Sequence, residues 1–486
     1  MTMRLSCLIV LAAAAAALAG CKAGPNYVRP AVDAPVSYKE TPVEWKVAQP
    51  RDDANRGQWW TAFGDPQLNA LVEQVDISNQ NVIAAEARFR QAQAVIAGSR
   101  AALFPTLDAN ASIVRSRSPG GASGGTTAGR IVTTRSASLT SFWEADLWGK
   151  FRRGVEASEA SAQASAADIA SAKLSAQAEL ATNYVQLRVL DVQRQLLEDT
   201  AAAYQKTVDL TNNRYKVGVA GKVDLVQAET QLRSTQAQVI DLGVQRAQFE
   251  HAIALLLGKA PAEISLAPGP LRLQMPVIPP GLPSELLERR ADVAAAERRV
   301  AAANAQIGVA QSAFFPSLTL SPTLGSRAID ASVWFTTVSR FWSIGPAIAL
   351  SIFDAGLRRS QSDQAIAAYD ATVATYRETV LTGFKEVEDN LAALRILAEE
   401  ATVQEEAVRA ARESVVLTTN QYKAGTVSFL NVAVVQTAQL GNERTAVVLQ
   451  GQRLLAAVAL IRALGGGWDA AELPGPVELR GRGSKP

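Results

Sequence analysis

Two stretches of the chain carry the same seven-residue apolar repeat, and no other feature restricts the fold as strongly. The repeat occurs between residues 189 and 217 and again 207 residues later. The first row is Val189, Leu196, Ala203, Leu210 and Val217, and the second is Ile396, Val403, Ala410, Leu417 and Ala424. A strict seven-residue repeat keeps apolar side chains on one helical face and favours a left-handed supercoil. The sequence therefore predicts two very long helices that pack against neighbouring helices.

Each long helix is followed by a tight turn and a returning helix. In the first copy, residues 174–257 are predicted to form the outgoing helix, a turn at 217–221 and the returning helix. The apolar residues of the returning segment recur in steps of three and four, as in a coiled-coil seam. The turn sequence Tyr-Lys-Val-Gly at 215–218 returns as Tyr-Lys-Ala-Gly at 422–425. We therefore predict a tandem duplication with two helical hairpins.

The bulk composition excludes several kinds of protein. The net charge of +2 over 486 residues gives no basic excess that would indicate a nucleic-acid partner. Both cysteines lie in the first 21 residues and there is one histidine, which excludes a disulfide framework and a Cys/His zinc site. Much of the hydrophobic fraction is alanine, and no stretch after the N-terminus is expected to reach the length of a membrane-spanning helix.

The N-terminus predicts export and lipid attachment. A positive start and a short apolar run are typical of a signal peptide. The run ends in Leu-Ala-Gly-Cys at 18–21, which resembles the bacterial lipobox and makes Cys21 the predicted site of the covalent lipid. The alternative is an ordinary cleavage site followed by a free cysteine. Lys22 comes next, where an aspartate would have suggested retention at the inner membrane.

Composition divides the chain into six parts. They are a signal peptide at 1–20, an extended arm at 21–60, a first repeat at 61–258, a proline-rich linker at 259–283, a second repeat at 284–465 and a tail at 466–486. Each repeat is predicted to begin with a helix, at about 66–102 and 284–314. Phe104-Pro105 and Phe315-Pro316 end these helices, at an offset of 211.

Between the first helix and the long helix of each repeat, the apolar period changes to two. Four segments alternate in this way, at about 105–113, 137–147, 316–324 and 344–352. Each is roughly 10 residues, the length of a tilted strand that crosses a bilayer. Aromatic residues cluster at both ends, like interfacial girdles. One cluster is Phe104, Trp148, Phe314 and Phe315, and the other is Trp334, Phe335, Phe341 and Trp342.

Four strands cannot span a membrane alone, because an open sheet edge is not tolerated in lipid and bacterial barrels begin at eight strands. A homo-oligomer would supply the missing strands. The alternatives are a soluble coiled-coil rod or two soluble β-hairpins. A lipid-anchored periplasmic scaffold without a pore would be the corresponding different function, and it would need no apolar-outward hairpins.

Several motifs in the same order resemble outer-membrane efflux channels of the TolC/OprM type, in their lipoprotein branch. They are Trp59-Trp60, Phe63-Gly64-Asp65-Pro66-Gln67-Leu68, Phe104-Pro105, the segments 142–149 and 281–290, Phe315-Pro316 and the segment 352–356. One departure is Ala291, where the family usually has proline. The resemblance implies a mixed α/β membrane protein. As a homotrimer it would form a 12-stranded β-barrel continued by a 12-helix periplasmic α-barrel.

The resemblance also implies a function and partners. The chain would be a passive exit duct in the outer membrane, receiving drugs or other small molecules from an inner-membrane pump of the RND type through a periplasmic membrane-fusion adaptor. Export of proteins or metal ions by the same fold is an alternative. Few methionines and one histidine argue against a soft-metal duct. No enzyme activity and no cofactor beyond the lipid are expected.

Two groups of site residues follow. The turns are predicted to dock the adaptor, through Val217, Gly218, Val219, Ala220, Ala424, Gly425 and Thr426. The constriction of the channel is predicted after the second turn, at Leu430, Asn431 and Val434, with Tyr422 bracing neighbouring hairpins. Related channels often carry aspartates in this region, and Asp224 could supply a carboxylate from the first hairpin. The alternative is that Leu430 and Val434 are ordinary seam residues.

Two patterns that look catalytic are set aside. Residues 121–125 match G-x-S-x-G, but the match lies in a predicted loop between strands and has no histidine partner. His251 is expected in a helix, where it packs or faces the lumen. The charges between Glu285 and Arg299 are expected to be solvated helix surface or pairs between helices.

Overall fold

A computed structural model describes residues 22–40, 57–117, 131–278 and 283–481 of the chain. The predicted signal peptide, Cys21 and the G-x-S-x-G match lie outside the described residues. The N-terminal arm is described only in part, at 22–40 and from 57 onward.

The first repeat has the predicted order of a helical segment, two strands and a helical hairpin. Its elements are α1 (Pro66–Ser78), α2 (Gln80–Ala101), β1 (Thr106–Arg117), β2 (Ile131–Ala145), α3 (Lys150–Lys216) and α4 (Lys222–Leu256). At 67 residues, α3 is about 100 Å long.

The second repeat copies this order. Its elements are α5 (Leu286–Arg289), α6 (Ala291–Ser312), β3 (Ser317–Leu320), β4 (Thr323–Ala328), β5 (Arg340–Ser343), β6 (Pro346–Ala349), α7 (Leu357–Lys423) and α8 (Phe429–Ala463), and a short helix α9 (Pro476–Gly481) follows. Both ends of α7 and of α8 lie 207 residues after those of α3 and α4. The predicted duplication is therefore confirmed to the residue in the hairpins.

The predicted first helix of each repeat is in fact two helices. At the first break, the Asn79 side chain accepts hydrogen bonds from the N–H groups of Asn81 and Val82, and so caps α2. Its amide also donates to the carbonyl of Leu256 at 2.8 Å, so the start of α2 meets the end of α4. At the second break, Arg290 donates to the carbonyl of Ala463 at 3.0 Å, so the start of α6 meets the end of α8. Helices α2 and α4 are therefore stacked end to end, and so are α6 and α8.

The helices form one layer with two free edges. The central helix α3 packs against α2 and α4 on one side and against α6 and α8 on the other. Among the described helices, the second long helix, α7, packs extensively against only two, α6 and α8. The order across the layer is thus α2/α4, α3, α6/α8 and α7, and the free edges belong to α2/α4 and α7.

The sheet has the same order as the helices. Its strands run β1, β2, β3/β4 and β5/β6, and all neighbours are antiparallel. The pairs Leu320–Trp143 and Leu324–Leu139 keep one register with β2, so β3 and β4 are one strand interrupted at Pro322, which has no N–H to donate. The pairing of β5 and β6 likewise keeps one register. Among the described residues the sheet thus has four strands, as predicted, and β1 and β5/β6 are its open edges.

The two faces of the sheet differ as predicted. One face carries large apolar side chains that remain exposed within the single chain, including Leu107 at 71%, Trp342 at 74% and Ile348 at 75%. The opposite face carries mainly serine, threonine and other small or polar residues, such as Ser112 and Ser136, whose hydroxyls are 2.8 Å apart. An exposed apolar face of this kind needs lipid or another chain to cover it.

One expectation about the helices is wrong. By length and composition, α8 is apolar enough to cross a membrane, and it is the one such helix among the described residues. Its apolar side chains instead pack into the helix layer, where Leu454, Ala457 and Val458 join a core formed with α1, α3 and α4. The hairpin partner α7 runs beside it and carries many charges.

Candidate functional site

Both hairpin turns reverse the chain at a glycine with left-handed backbone. Gly218 has φ +76° and Gly425 has φ +80°. The N–H groups of these glycines donate to the carbonyls of Tyr215 and Tyr422, each at 3.0 Å. This conformation is costly for other residues. A Cβ built at either glycine would meet nothing within 4 Å, so both turns are open to a partner.

The predicted docking residues lie on the surface of these turns. Val217 is 73% exposed and Val219 is 64% exposed, which is unusual for valine. Ala424 and Thr426 are exposed, and Ala220 is half-buried. The two turns therefore offer small and apolar side chains around a free backbone, and their role in docking stays a prediction.

The two hairpins are joined just above the turns by Tyr422. Its side chain is buried, and its hydroxyl oxygen lies 3.5 Å from the hydroxyl of Thr211 on α3. The guanidinium of Arg214 lies over the ring, 4.8 Å from its centroid, and also donates to the carbonyl of Lys423 at 3.2 Å. Phe429 packs edge-on against the same ring at 5.8 Å. Tyr422 thus connects the ends of α3, α7 and α8 within one chain.

The predicted constriction residues lie together on one face of α8. Leu430 is 55% exposed, Val434 is 59% exposed, and Asn431 between them is also exposed. The neighbouring Phe429 and Val432 are buried in the contact with Tyr422. Leu430 and Val434 are therefore not seam residues within the chain, because the seam is occupied by Phe429 and Val432. Their function as a constriction stays a prediction.

Asp224 stands in the first turn of α4 and is only partly exposed. Its carboxylate accepts a hydrogen bond from the N–H of Gly221 at 3.4 Å, and it lies near the positive end of the helix dipole. The carboxylate therefore has a local structural role at the first hairpin turn.

A polar network in the middle of the helix layer was not predicted from the sequence. The buried carboxylate of Asp191 accepts from Arg188 and Arg246, both at 2.8 Å, and from the N–H of Gly269 at 3.0 Å. Arg246 also pairs with Glu250 at 3.2 Å. Because Gly269 belongs to the linker, the network fastens the linker to α3 and α4.

Tyr184, one turn before Arg188, extends this network toward α1. Its hydroxyl donates to Asp65 at 2.9 Å, and the Arg188 guanidinium lies 4.9 Å from its ring centroid. Burial raises the pKa of Tyr184 to about 12. The phenol therefore remains neutral and hydrogen-bonded well above physiological pH.

The charges between 285 and 299 are partly buried, contrary to the solvated alternative. Arg290 is 7% exposed and donates to Glu386 of α7 at 2.7 Å and to Asp292 at 2.6 Å. Glu297 is also buried and accepts from Tyr27 of the N-terminal arm. Arg290 and Glu297 therefore form pairs between segments, which was the other alternative.

The described part of the N-terminal arm starts on the first repeat and continues along the second, where the N–H of Lys39 donates to Glu388 of α7 at 2.6 Å. Arg153 near the start of α3 is 1% exposed and donates to the carbonyls of Ala23 and Gly24 and to the side chain of Asn26. The N–H of Ala23 donates to the carbonyl of Trp148 at 2.8 Å. The arm therefore begins where the sheet meets the helices, next to the stacked rings of Trp148 and Phe315.

The described residues contain no cluster of three His, Cys, Asp or Glu side chains that could hold a metal ion. His251 lies in α4 and is exposed within the single chain, which is consistent with the expected position facing the lumen.

The chain matches known proteins along most of its length. Residues 71–259 and 282–466 match the family model of outer membrane efflux proteins. The pyoverdine export outer membrane protein OpmQ of Pseudomonas aeruginosa is 33% identical over 438 residues, which are 88% of this chain and 92% of that protein. The toluene efflux pump outer membrane protein TtgC of Pseudomonas putida is 31% identical over 95% of this chain and 96% of its own length.

A solved structure has the same fold. The outer-membrane channel OprN superimposes with a TM-score of 0.83 at 32% identity, and the match covers 92% of this chain and all of that chain. These matches agree with the apolar sheet face, the paired helical hairpins and the open turns. The chain belongs to the outer membrane efflux protein family, and it is an outer-membrane exit duct for efflux that extends into the periplasm.

Proposed function

We propose that three copies of the chain close into one channel with 12 strands and 12 helical columns. The observation that carries this proposal is the match between the free edges of the two layers. The sheet ends at β1 and β5/β6, and the helix layer ends at α2/α4 and α7. Each open strand continues into the open helix on its own side, so one rotation that pairs the strands also pairs the helices.

The duplication supplies the geometry of that helix contact. Within the chain, α3 packs against α8. Their repeat equivalents are α7 and α4, which lie at opposite free edges. A ring closes when α7 of one copy packs on α4 of the next as α3 packs on α8. The exposed apolar residues Ile396 and Val403 on α7, and Ile240 and Val244 on α4, would then be covered.

At the far end from the sheet, the two turns would bind a periplasmic membrane-fusion adaptor, which connects the channel to an inner-membrane pump of the RND type. Support comes from the exposed valines and open glycines of the turns. The ring of Leu430, Asn431 and Val434 would form the constriction, since an apolar and amide ring denies ions their solvation. The contact of Tyr422 with Thr211 and Arg214 would hold the hairpins in the narrowed arrangement.

The transported compounds would be small molecules delivered by the pump, as the names of the pyoverdine and toluene relatives suggest. The chain itself would act as a passive duct and not as an enzyme. Cys21 would carry a covalent lipid, and the docked position of Lys22 and Ala23 beside Trp148 would hold that lipid at the inner surface of the outer membrane.

One set of experiments tests the channel. The mature lipidated protein, purified in detergent, is expected to have the mass of a trimer and to give single-channel currents in planar bilayers. A monomer without conductance would contradict the proposal and favour a scaffold. In cells, crosslinking followed by affinity purification is expected to recover one adaptor and one pump. Failure to recover either from cells that resist a drug through this channel would contradict the partner assignment.

A further inference from the structure

Toward the outer end of the apolar face of the sheet, arginines stand beside the aliphatic residues, as where Arg135 pairs with Ile113. Strand pairing places Leu107, Leu139 and Leu324 on this face. The same alternation places Arg115, Arg135 and Arg340 on it, two or more residues further from the helices. Arg117 shares the face as well. Among the described strand residues of this face there is no aspartate or glutamate.

The height of the arginines corresponds to a membrane surface. Ala145 marks the helix end of this face in β2, and Arg135 lies ten residues further along the strand. Ten residues extend about 33 Å, or about 25 Å along the membrane normal at a strand tilt of about 40°. The apolar band of outer-membrane barrels is about 25 Å tall. Arg135 therefore lies at the outer boundary of the hydrocarbon. Arg340 stands two residues nearer the helices, at the level of Ala137, and Arg115 stands two residues further out, opposite Thr133.

The loop between β4 and β5 adds aromatic side chains at the same level. The Ser326 hydroxyl lies on the outward face and contacts the carbonyl of Trp334 and the hydroxyl of Ser339, so the loop folds back beside Arg340. Trp334 and Phe335 are stacked there, with ring centroids 4.7 Å apart. Trp342 lies on the same face as Arg340, two residues nearer the helices, and is 74% exposed. Aromatic rings with cationic side chains are typical of a headgroup layer.

The other charges near this patch leave a basic excess. Arg135 donates to the backbone carbonyl of Ile329 at 2.8 Å, which orients it without neutralising it. Asp330 in the loop is near enough to attract Arg135, and its carboxylate is already bonded to Ser332. Arg340 is exposed. In the trimer proposed above, β1 of one copy would lie beside β5 of the next, so Arg115 and Arg340 would stand on neighbouring strands and on the same face of the sheet.

We propose that this patch, defined as Arg115, Arg135 and Arg340, binds the phosphate-bearing headgroup of an outer-leaflet lipid. Guanidinium groups form paired hydrogen bonds with phosphate oxygens, and their chemistry suits that geometry better than a lysine would. The acyl chains of the same lipid would cover the apolar face below, from Trp342 to Ile348. The patch thus holds a lipid against the seam between neighbouring copies. The inference rests on the proposed trimer for the meeting of Arg115 with Arg340.

The chain offers a matched control. Arg327 lies on β4 one residue from Ser326, at the same height, but on the opposite face of the sheet. Its guanidinium lies over the ring of Phe341, 5.3 Å from the centroid. Replacing Arg327 removes the same charge from the same level of the barrel without touching the outward patch.

Native mass spectrometry of the intact lipidated trimer tests the proposal. The probes are an acylated glucosamine disaccharide with two phosphates and the same lipid with both phosphates removed. The wild-type protein and Arg327→Gln are expected to retain the phosphorylated lipid at least about fivefold better, since each partly exposed ion pair contributes up to about 1 kcal/mol. The triple variant R115Q/R135Q/R340Q is expected to lose this preference, and the triple lysine variant is expected to keep part of it.

Three outcomes would overturn the proposal. The wild-type protein could retain the two lipids equally, Arg327→Gln could lose the preference for the phosphorylated lipid as fully as the triple variant does, or inorganic phosphate alone could displace the lipid. If the triple variant does not assemble, Arg115→Gln and Arg340→Gln are measured singly, and unchanged preference in both overturns the proposal. Planar-bilayer conductance of the triple variant separates the two proposals. A variant that conducts normally still supports the proposed channel, whatever its lipid preference shows about the patch.

Discussion

Val189 on α3 lies directly against Gly451 on α8: a Cβ built at Gly451 would be 2.5 Å from Cγ2 and 3.6 Å from Cβ of Val189. A larger residue at 451 would separate the two helices, so glycine sets their close approach. The repeat equivalents are Ile396 on α7 and Val244 on α4. These are 51% and 60% exposed in the single chain. The proposed closure of the ring would place them face to face, with the two helices further apart than at Gly451 because Val244 carries a side chain.

A cysteine pair at these positions is expected to crosslink neighbouring copies. A disulfide needs Cβ atoms about 3.5–4.5 Å apart. If the contact between copies repeats the contact within the chain, oxidation of V244C/I396C should give covalent dimers and trimers on denaturing non-reducing gels. The internal pair V189C/G451C is the control, and it should oxidise without any increase in mass. Monomers alone from V244C/I396C in a protein that is trimeric before denaturation would contradict the proposed closure.

A charged side chain at the second turn is expected to abolish efflux without disturbing assembly. Gly425→Glu places a charge and a strained residue on the docking surface, because the position has φ +80°. Gly425→Asn separates the two effects, since asparagine tolerates this conformation. Drug-resistance assays should show full loss for the glutamate variant and largely retained resistance for the asparagine variant. Ala202→Glu, exposed about four turns away on α3, is the control for added charge. Full resistance in Gly425→Glu would argue against docking there.

Shortening the side chains that line the proposed constriction is expected to widen it and to increase the ion current. Leu430→Ala and Val434→Ala remove exposed apolar groups from one face of α8, so the single-channel conductance of the reconstituted trimer should rise at least about twofold when both are combined. Val223→Ala is the control, because Val223 is the repeat equivalent of Leu430 and is similarly exposed. Unchanged conductance in the double variant would place the constriction elsewhere.

The sequence predicts the parts of this fold that depend on local periodicity. The hairpins, the four strands and the two glycine turns follow from repeats of seven and two and from residues with special backbone preference. The helix breaks could not be found in this way. Asn79 caps α2 in a manner a sequence can suggest, but the stacking of α2 on α4 depends on Leu256, 177 residues away.

The same limit applies to the polar groups that hold the wall together. Arg188 and Asp191 form a local pair that helical spacing could indicate. Their burial depends on Arg246 and on the backbone of Gly269 in the linker, neither of which has a sequence motif. Of the predicted site residues, the turn residues could be located by their glycines, whereas the separation of exposed Leu430 from buried Phe429 required the packing of Tyr422.

Alkaline pH is expected to weaken the wall through Tyr184. Its pKa is raised from 10.0 to about 12 by burial, so the folded state holds the phenolic proton more tightly than the unfolded chain does. The stabilisation is complete below pH 10 and is lost as the pH rises from about 10 to about 12. Tyr184→Phe loses the bond to Asp65 and should be less stable by about 1 kcal/mol at pH 9. The gap to the wild-type protein should narrow by pH 11.5, as measured by urea midpoints at fixed protein concentration. A gap that is constant with pH would contradict this assignment.

Proline at position 291 is expected to stabilise the channel. Ala291 is the first residue of α6, where the N–H has no partner in the helix, and the preceding Arg290 is extended with φ −102° and ψ 119°. Proline requires an extended residue before it and restricts the unfolded chain. Ala291→Pro should therefore raise the free energy of unfolding by about 0.4–1 kcal/mol. The control is Ala302→Pro in the interior of α6, which should cost about 3 kcal/mol because a helical hydrogen bond is lost. Thermal unfolding at a fixed scan rate compares the variants with the wild-type protein. A lower unfolding temperature for Ala291→Pro would contradict the prediction, and it would indicate that the proline ring disturbs the buried contacts of Arg290.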